Sequence, residues 1–94
     1  MRFEQLYYYI MVCDKGSMNS ACSRLHLTYQ SLHTAIQNFE QEIGVQLLIR
    51  TNRGISMTPA GEKVYQHAKD TLTEWQTLVQ ELRSEAPSAL KGSL

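Results

Sequence analysis

Ninety-four residues make a single small domain with a modest core. Nine basic and nine acidic side chains cancel, which excludes the strongly cationic surface of a protein held to nucleic acid by phosphate contacts alone. No apolar run approaches the roughly 20 residues that span a bilayer, and two cysteines are too few for a disulfide framework. The opening MRFEQLYYYI has Glu4 and polar tyrosines where a signal peptide needs an unbroken apolar stretch. The expected location is therefore cytoplasmic, with Cys13 and Cys22 as buried thiols on apolar helix faces.

A first helix is predicted from about Phe3 to Asp14, with Phe3, Leu6, Ile10 and Cys13 on one face and Lys15-Gly16 as its stop. Tyr7, Tyr8 and Tyr9 cannot all face the core. At least one must lie at the surface or spend its hydroxyl in a contact. Residues 17–40, SMNSACSRLHLTYQSLHTAIQNFE, then read as two short helices joined by a tight turn. Ser17 is placed to cap the first, which carries Met18, Ala21, Cys22 and Leu25 at helical spacing. Past Leu25-His26-Leu27, Thr28 suits the cap of the second, which buries Leu32, Ile36 and Phe39. Its other face offers Tyr29, Gln30, His33, Thr34 and Gln37, all able to hydrogen-bond and none acidic. A helix-turn-helix puts such a second helix into the major groove of DNA, its N-terminal residues on the bases. An ordinary helical hairpin with a solvated face has the same pattern.

Gly44 ends that helix, and Val45–Arg50 is apolar and β-branched enough for a strand. Thr51-Asn52-Arg53-Gly54 is turn chemistry, and Ile55-Ser56-Met57 alternates as a short return strand. A hairpin behind a helix-turn-helix is a wing, here with Arg50 and Arg53 expected near its tip, where arginine can enter the narrow minor groove. Thr58-Pro59 opens the longest helix, threonine as cap and proline in the first helical position. Ala68, Leu72, Trp75, Val79 and Leu82 follow at coiled-coil spacing, with Val64 one step earlier. A second copy of this helix would bury Trp75, so a homodimer through Leu72, Trp75, Val79 and Leu82 is expected, matching a two-fold symmetric DNA site. Charge is distributed in the same sense. Residues 24–61 hold three arginines against two glutamates, a net of +1, and residues 62–85 three cations against five acids, a net of −2. The first stretch belongs on DNA and the later helix points elsewhere.

Taken together, GSMNSACSRLHLT, the polar helix ending FEQEIG, then VQLLIRTNRGISMTPAG and a long helix resemble the N-terminal domain of LysR-type transcriptional regulators over about residues 3–83. The most specific matches are Gly16-Ser17 with Ala21 and Leu25, Ile36 with Phe39-Glu40, Gly44, Leu47, Arg50, Arg53-Gly54 and Thr58-Pro59-Ala60-Gly61. The resemblance implies a mainly α fold: a winged helix-turn-helix of three helices plus a two-stranded wing, followed by a long dimerisation or linker helix. It also implies a C-terminal domain that binds a small-molecule inducer. The chain departs from the family pattern at Tyr29-Gln30, where glutamine followed by proline or serine is usual, at His33, where serine is common, and at Thr34 and Gln37, which are frequently basic, and the missing cations account for the neutral charge. Phe39 stands for leucine before Glu40, and Leu47-Leu48-Ile49 for the family's Leu-Phe before the arginine.

The domains expected are therefore a DNA-binding unit over 1–58, a dimerisation helix over 59–86, and a tail, 87–94, leading to an absent effector domain. Lys91-Gly92-Ser93-Leu94 resembles the opening of that domain's first strand, which makes the chain a fragment cut at a domain boundary or a short relative without a sensor. An inducer is expected only if such a domain lies beyond residue 94, and a tetramer only in a full-length protein. The expected function is sequence-specific binding of double-stranded DNA, with the helix at about 28–42 in the major groove and the wing at about 50–55 on phosphates and the minor groove. Base contacts fall to Tyr29, Gln30, His33, Thr34 and Gln37, with Gln30 on adenine and Tyr29 against a thymine methyl. Phosphate and minor-groove contacts fall to Ser17, Thr28, Ser31, Arg50, Asn52 and Arg53, and Arg24 is either a further contact or a solvated helix residue. His33 beside a phosphate predicts tighter binding when protonated.

No enzyme is expected. His26, His33 and His67 stand far apart without zinc spacing to the cysteines, and neither a phosphate-cradling glycine loop nor a nucleophile–base pair is present. No catalytic residue, metal or cofactor is assigned. The rival from another class is a winged helix that binds protein instead of DNA, a use that zero net charge suits.

Overall fold

In the computed structural model, residues 2–85 are described. Helix α1 (Phe3–Lys15) leads into α2 (Met18–Leu25) and α3 (Tyr29–Ile43). The antiparallel strands β1 (Leu48–Thr51) and β2 (Gly54–Met57) follow, and α4 (Pro59–Glu85) closes the order. The expected mainly α, winged helix-turn-helix with a long trailing helix is the fold observed. The expected tail at 87–94 and Ala86 lie outside the described residues.

Capping chemistry sets the boundaries. Gly16 and Gly44 end α1 and α3 in the left-handed conformation, and each returns its amide to a carbonyl four residues back, Val12 and Glu40. Ser17 Oγ accepts from the Ser20 amide and Thr28 Oγ1 from the Ser31 amide. Thr58 does more than cap. Its hydroxyl accepts from the Gly61 amide at 2.9 Å and donates to the Gln46 carbonyl, while its own amide donates to the Leu47 carbonyl.

The core lies where α1, α2, α3 and the wing meet, around Tyr9, Val12, Met18, Ala21, Leu32, Ile36, Phe39, Leu47 and Leu48. On α1 the buried residues are Tyr9, Ile10 and Val12, whereas the predicted face had Phe3, Leu6, Ile10 and Cys13. Leu6 and Cys13 are half-buried, and Phe3 is exposed enough to reach α4. Tyr9 wins the central place because its hydroxyl finds a partner inside: it donates to the Gly61 carbonyl at 2.9 Å, and its ring packs on Phe39 with centroids 5.5 Å apart. Tyr7 is the tyrosine left at the surface. Gly61 is buried at this contact, and a Cβ there would overlap the Leu47 carbonyl oxygen and stand 2.7 Å from the Tyr9 hydroxyl. The start of α4 is thereby locked to α1 and to the segment before the wing. The Tyr65 hydroxyl donates to Asp14 Oδ1 and extends the lock, Lys69 Nζ lies over the Tyr65 ring, and Ala68 is fully buried. Val64 packs on the core as well.

Both cysteines are free thiols, Cys22 buried and Cys13 half-buried. Burial pushes the Cys13 thiol up to about 11, offset in part by a hydrogen bond with Tyr9 and reinforced by Asp14. The neutral thiol is thus the folded form, so Cys13 contributes stability below the ordinary thiol range that is lost as pH rises through about 11. Iodoacetamide is expected to label Cys13 of the folded chain far more slowly at neutral pH than the same thiol in urea. Equal rates in the two states, read by mass spectrometry, would contradict this burial.

The strand predicted over 45–50 begins later, at Leu48. The backbone before it is already committed: the Leu47 amide donates to the Glu40 carboxylate and the Leu47 carbonyl accepts from Thr58. β1 pairs with β2 in the register Leu48 with Met57, Arg50 with Ile55 and Thr51 with Gly54. Asn52 and Arg53 form the two-residue loop between them. Gly54 takes a φ of +126°, and a Cβ there would come within 2.5 Å of the Gly16 carbonyl oxygen. That closeness lets the Ile55 amide donate to the same Gly16 carbonyl at 2.9 Å, which fastens the wing to the turn between α1 and α2.

Candidate nucleic-acid interface

The turn between α2 and α3 is tight because His26 adopts the left-handed conformation, φ +58°, and the Leu27 amide returns to the Cys22 carbonyl. α3 then buries Leu32, Ile36 and Phe39 and turns its opposite side outward. Tyr29, Gln30, Thr34 and Gln37 are exposed there and His33 is half-buried. The five residues expected to touch bases therefore share one accessible side of one helix, in two rows. Tyr29 and His33 stack with ring centroids 5.8 Å apart at 15°, and Gln37 continues their row by helical spacing. In the second row Gln30 Nε2 donates to Thr34 Oγ1 at 3.4 Å. Gln30 and Thr34 also line an open groove of about 910 Å³ against the start of α1, at Arg2, Gln5 and Tyr8.

The residues expected on phosphate divide differently. Ser17 Oγ accepts from the Ser20 amide, and Ser31 Oγ accepts from Thr28. The Thr28 proton is turned inward, donated to Ser31 Oγ at 2.8 Å, so Thr28 organises the corner and Ser31 presents the donor. Asn52 and Arg53 stand exposed at the wing loop, and among the described residues no acid pairs with Arg53. Arg24 is exposed on the last turn of α2, consistent with either reading of it. Arg50 is not at the tip. It sits opposite Ile55 within the ladder, and its side chain crosses to α3, where Nη1 meets His33 Nδ1 at 3.0 Å. A guanidinium only donates, so this contact is a hydrogen bond when Nδ1 carries no proton. His33 thus has a cation of the wing as its neighbour.

The wing keeps its place beside α3 through Glu40, a residue that side-chain periodicity did not single out. Its Oε2 accepts from the amides of Leu47 at 2.8 Å and Leu48 at 3.2 Å. One signal was legible: an acid four residues before a helix stop opposes the helix dipole, so its partners must lie outside the helix.

Along α4, Leu72 and Val79 are half-buried, while Trp75 is 52% and Leu82 55% exposed. The strip is wider than the predicted seam, since Leu78 is also exposed and Phe3 of α1 meets Trp75 edge-on with centroids 6.0 Å apart. Ala68 and Val64, at the other end of the periodic stripe, are used inside the domain. No helix among the described residues is long and apolar enough to cross a membrane.

Residues 3–62 match the family model for bacterial regulatory helix-turn-helix proteins of the lysR family. The chain is 38% identical over 88 residues to the HTH-type transcriptional regulator ClcR of Pseudomonas putida, covering 94% of this chain and 29% of ClcR. It is 38% identical over 74 residues to the nitrogen assimilation regulatory protein nac of Escherichia coli (strain K12), 79% of this chain and 24% of that protein. It thus spans about a quarter to a third of the length of these relatives. Among solved structures it is similar to the BenM DBD/benA site 1 DNA complex, with a TM-score of 0.87 and 32% identity, covering 92% of this chain and 100% of that one. The CbnR DBD–DNA complex matches with a TM-score of 0.85 and 35% identity over 92% of this chain and 99% of that one. By sequence, by fold and by the placement of its helix-turn-helix and wing, the chain belongs to the LysR family of bacterial regulatory helix-turn-helix proteins.

Proposed function

We propose that the chain reads double-stranded DNA for a transcription regulator, with α3 in the major groove and the wing on the adjoining backbone and minor groove. One observation carries the reading. The uncharged polar side of α3 and the free Arg53 of the wing belong to a scaffold that matches the whole of a domain solved on DNA. In this reading residues 1–58 form the reading head. Tyr29, Gln30, His33, Thr34 and Gln37 meet base edges. Ser17, Ser31, Asn52 and Arg53 meet phosphate and the minor groove, and Thr28 shapes the corner between them. Two heads are joined through Leu72, Trp75, Val79 and Leu82 of α4, with Phe3 and Leu78 widening the contact. Pairing is energetically important because so few cations face the DNA on each chain. The activity is binding and not catalysis, and the place of action is the cytoplasm, where the DNA is. A small-molecule inducer is expected only if an effector domain exists beyond residue 94.

Duplexes enriched from a random library give the test. Gln30→Ala is expected to lower affinity about tenfold on the enriched duplex and little on a scrambled one, as loss of one bidentate base contact requires. Arg53→Ala is expected to weaken binding to both and to flatten the salt dependence by about one counterion. Sedimentation should show the dimer intact in both variants. A chain that enriches no sequence, and whose Arg53 matters only to a protein complex, would place the winged helix among protein-binding modules.

A further inference from the structure

Arg50 lies off the wing tip and spends an N–H on a side chain of α3. This is a costly use for one of few cations if its task is only to neutralise phosphate. The contact has a definite chemical consequence. Because the guanidinium cannot accept, His33 Nδ1 carries no proton, and the proton of the neutral ring sits on Nε2, the nitrogen on the far side of the imidazole from Arg50. Tyr29 stacks on the ring face and restricts its rotation. His33 is half-buried between these two neighbours, so the donor has a fixed direction.

We propose that Arg50 is a positioning residue for base readout: it holds His33 as the Nε2–H tautomer, so that the start of α3 selects a base that offers a hydrogen-bond acceptor. The proposal rests on the DNA-binding reading above and names what one position of that site recognises. Guanine O6 and N7, adenine N7 and thymine O4 accept in the major groove, whereas the cytosine amino group donates. A locked N–H therefore rejects a cytosine edge. The neighbouring row is complementary in character: Gln30 gives one N–H to Thr34 and keeps its carbonyl oxygen and second N–H for a base.

Among the described residues, the ionisable groups in contact with the ring are the Tyr29 phenol on its own helix and the Arg50 guanidinium on β1. Protonation of His33 turns Nδ1 into a donor aimed at another donor and places two cations side by side.

The test has two arms. Long-range 1H–15N spectra of the histidine rings in the free, 15N-labelled chain, assigned with His33→Ala, should show His33 as the pure Nε2–H form and a tautomer mixture in Arg50→Met, with circular dichroism confirming that the variant is folded. On enriched duplexes in which each base pair is replaced in turn, the wild type should show about a tenfold preference against cytosine at one step. That preference should vanish in Arg50→Met and in His33→Ala, and the double variant should lose no more than either single one. Unchanged ring spectra in Arg50→Met, or an equal loss of affinity for every duplex with a flatter salt slope, would make Arg50 a phosphate contact and overturn the proposal. Failure of the wild type to bind any duplex overturns the DNA reading and the base preference with it. The ring spectra, recorded without DNA, then show separately whether Arg50 holds the ring.

Discussion

Gly61→Ala is expected to destabilise the chain by about 3 kcal/mol or more, a large share of the roughly 5–15 kcal/mol that typically holds a small domain folded. The added methyl overlaps the Leu47 carbonyl oxygen and crowds the Tyr9 hydroxyl, both of which are fixed. Leu47 cannot retreat, because its carbonyl accepts from Thr58 and its amide donates to Glu40. Tyr9 cannot retreat either, being fully buried against Phe39. Helix propensity alone predicts the opposite sign, since alanine is a better helix former than glycine by about 1 kcal/mol. Urea unfolding followed by circular dichroism separates the two, and an unchanged or higher midpoint would mean that α4 does not approach Leu47 this closely. Tyr9→Phe is the companion: it keeps the ring, leaves the buried Gly61 carbonyl without its partner, and is expected to cost about 1–2 kcal/mol.

Glu40→Ala is expected to cost roughly 2–3 kcal/mol, because two backbone amides lose a charged acceptor at a half-buried site. The larger consequence is functional. With the Leu47 and Leu48 amides released, β1 loses its tether to α3, and the wing no longer holds Arg53 and Arg50 in register with the recognition helix. Binding to the enriched duplex should fall by more than the loss of folded protein explains, even under conditions where the variant is fully folded. Glu40→Gln keeps an acceptor without the charge and is expected to recover part of both effects. A Glu40→Ala chain with a wild-type midpoint and wild-type affinity would show that the wing is held by its apolar contacts alone.

The polar side of α3 was open to a sequence reading because its physics is local. Thr28 and Gly44 bracket the helix through their own backbone conformations, and a period of 3.6 residues sorts Leu32, Ile36 and Phe39 from Tyr29, His33 and Gln37 without reference to any other element. The same holds for the Ser17 cap, for the Thr58-Pro59 opening of α4 and for the turn at Asn52-Arg53. The strand start was misplaced for the converse reason. Whether Val45–Leu47 joins a ladder depends on where its amides and carbonyls go, and Glu40 and Thr58 claim them from seven and eleven residues away.

Sequence by itself thus determined the element order, the caps, the polar side of α3, the apolar stripe of α4 and the family resemblance, all features written in short-range spacing. Tertiary structure alone decided which tyrosine enters the core, since only Tyr9 finds the Gly61 carbonyl 52 residues away. It alone made Glu40 an anchor and Phe3 a neighbour of Trp75. It also moved Arg50 from the wing tip to His33, a contact across 17 residues that joins the two reading elements. Hydrogen bonds and ring contacts between distant segments depend on the three-dimensional path of the chain, and no local periodicity encodes that path.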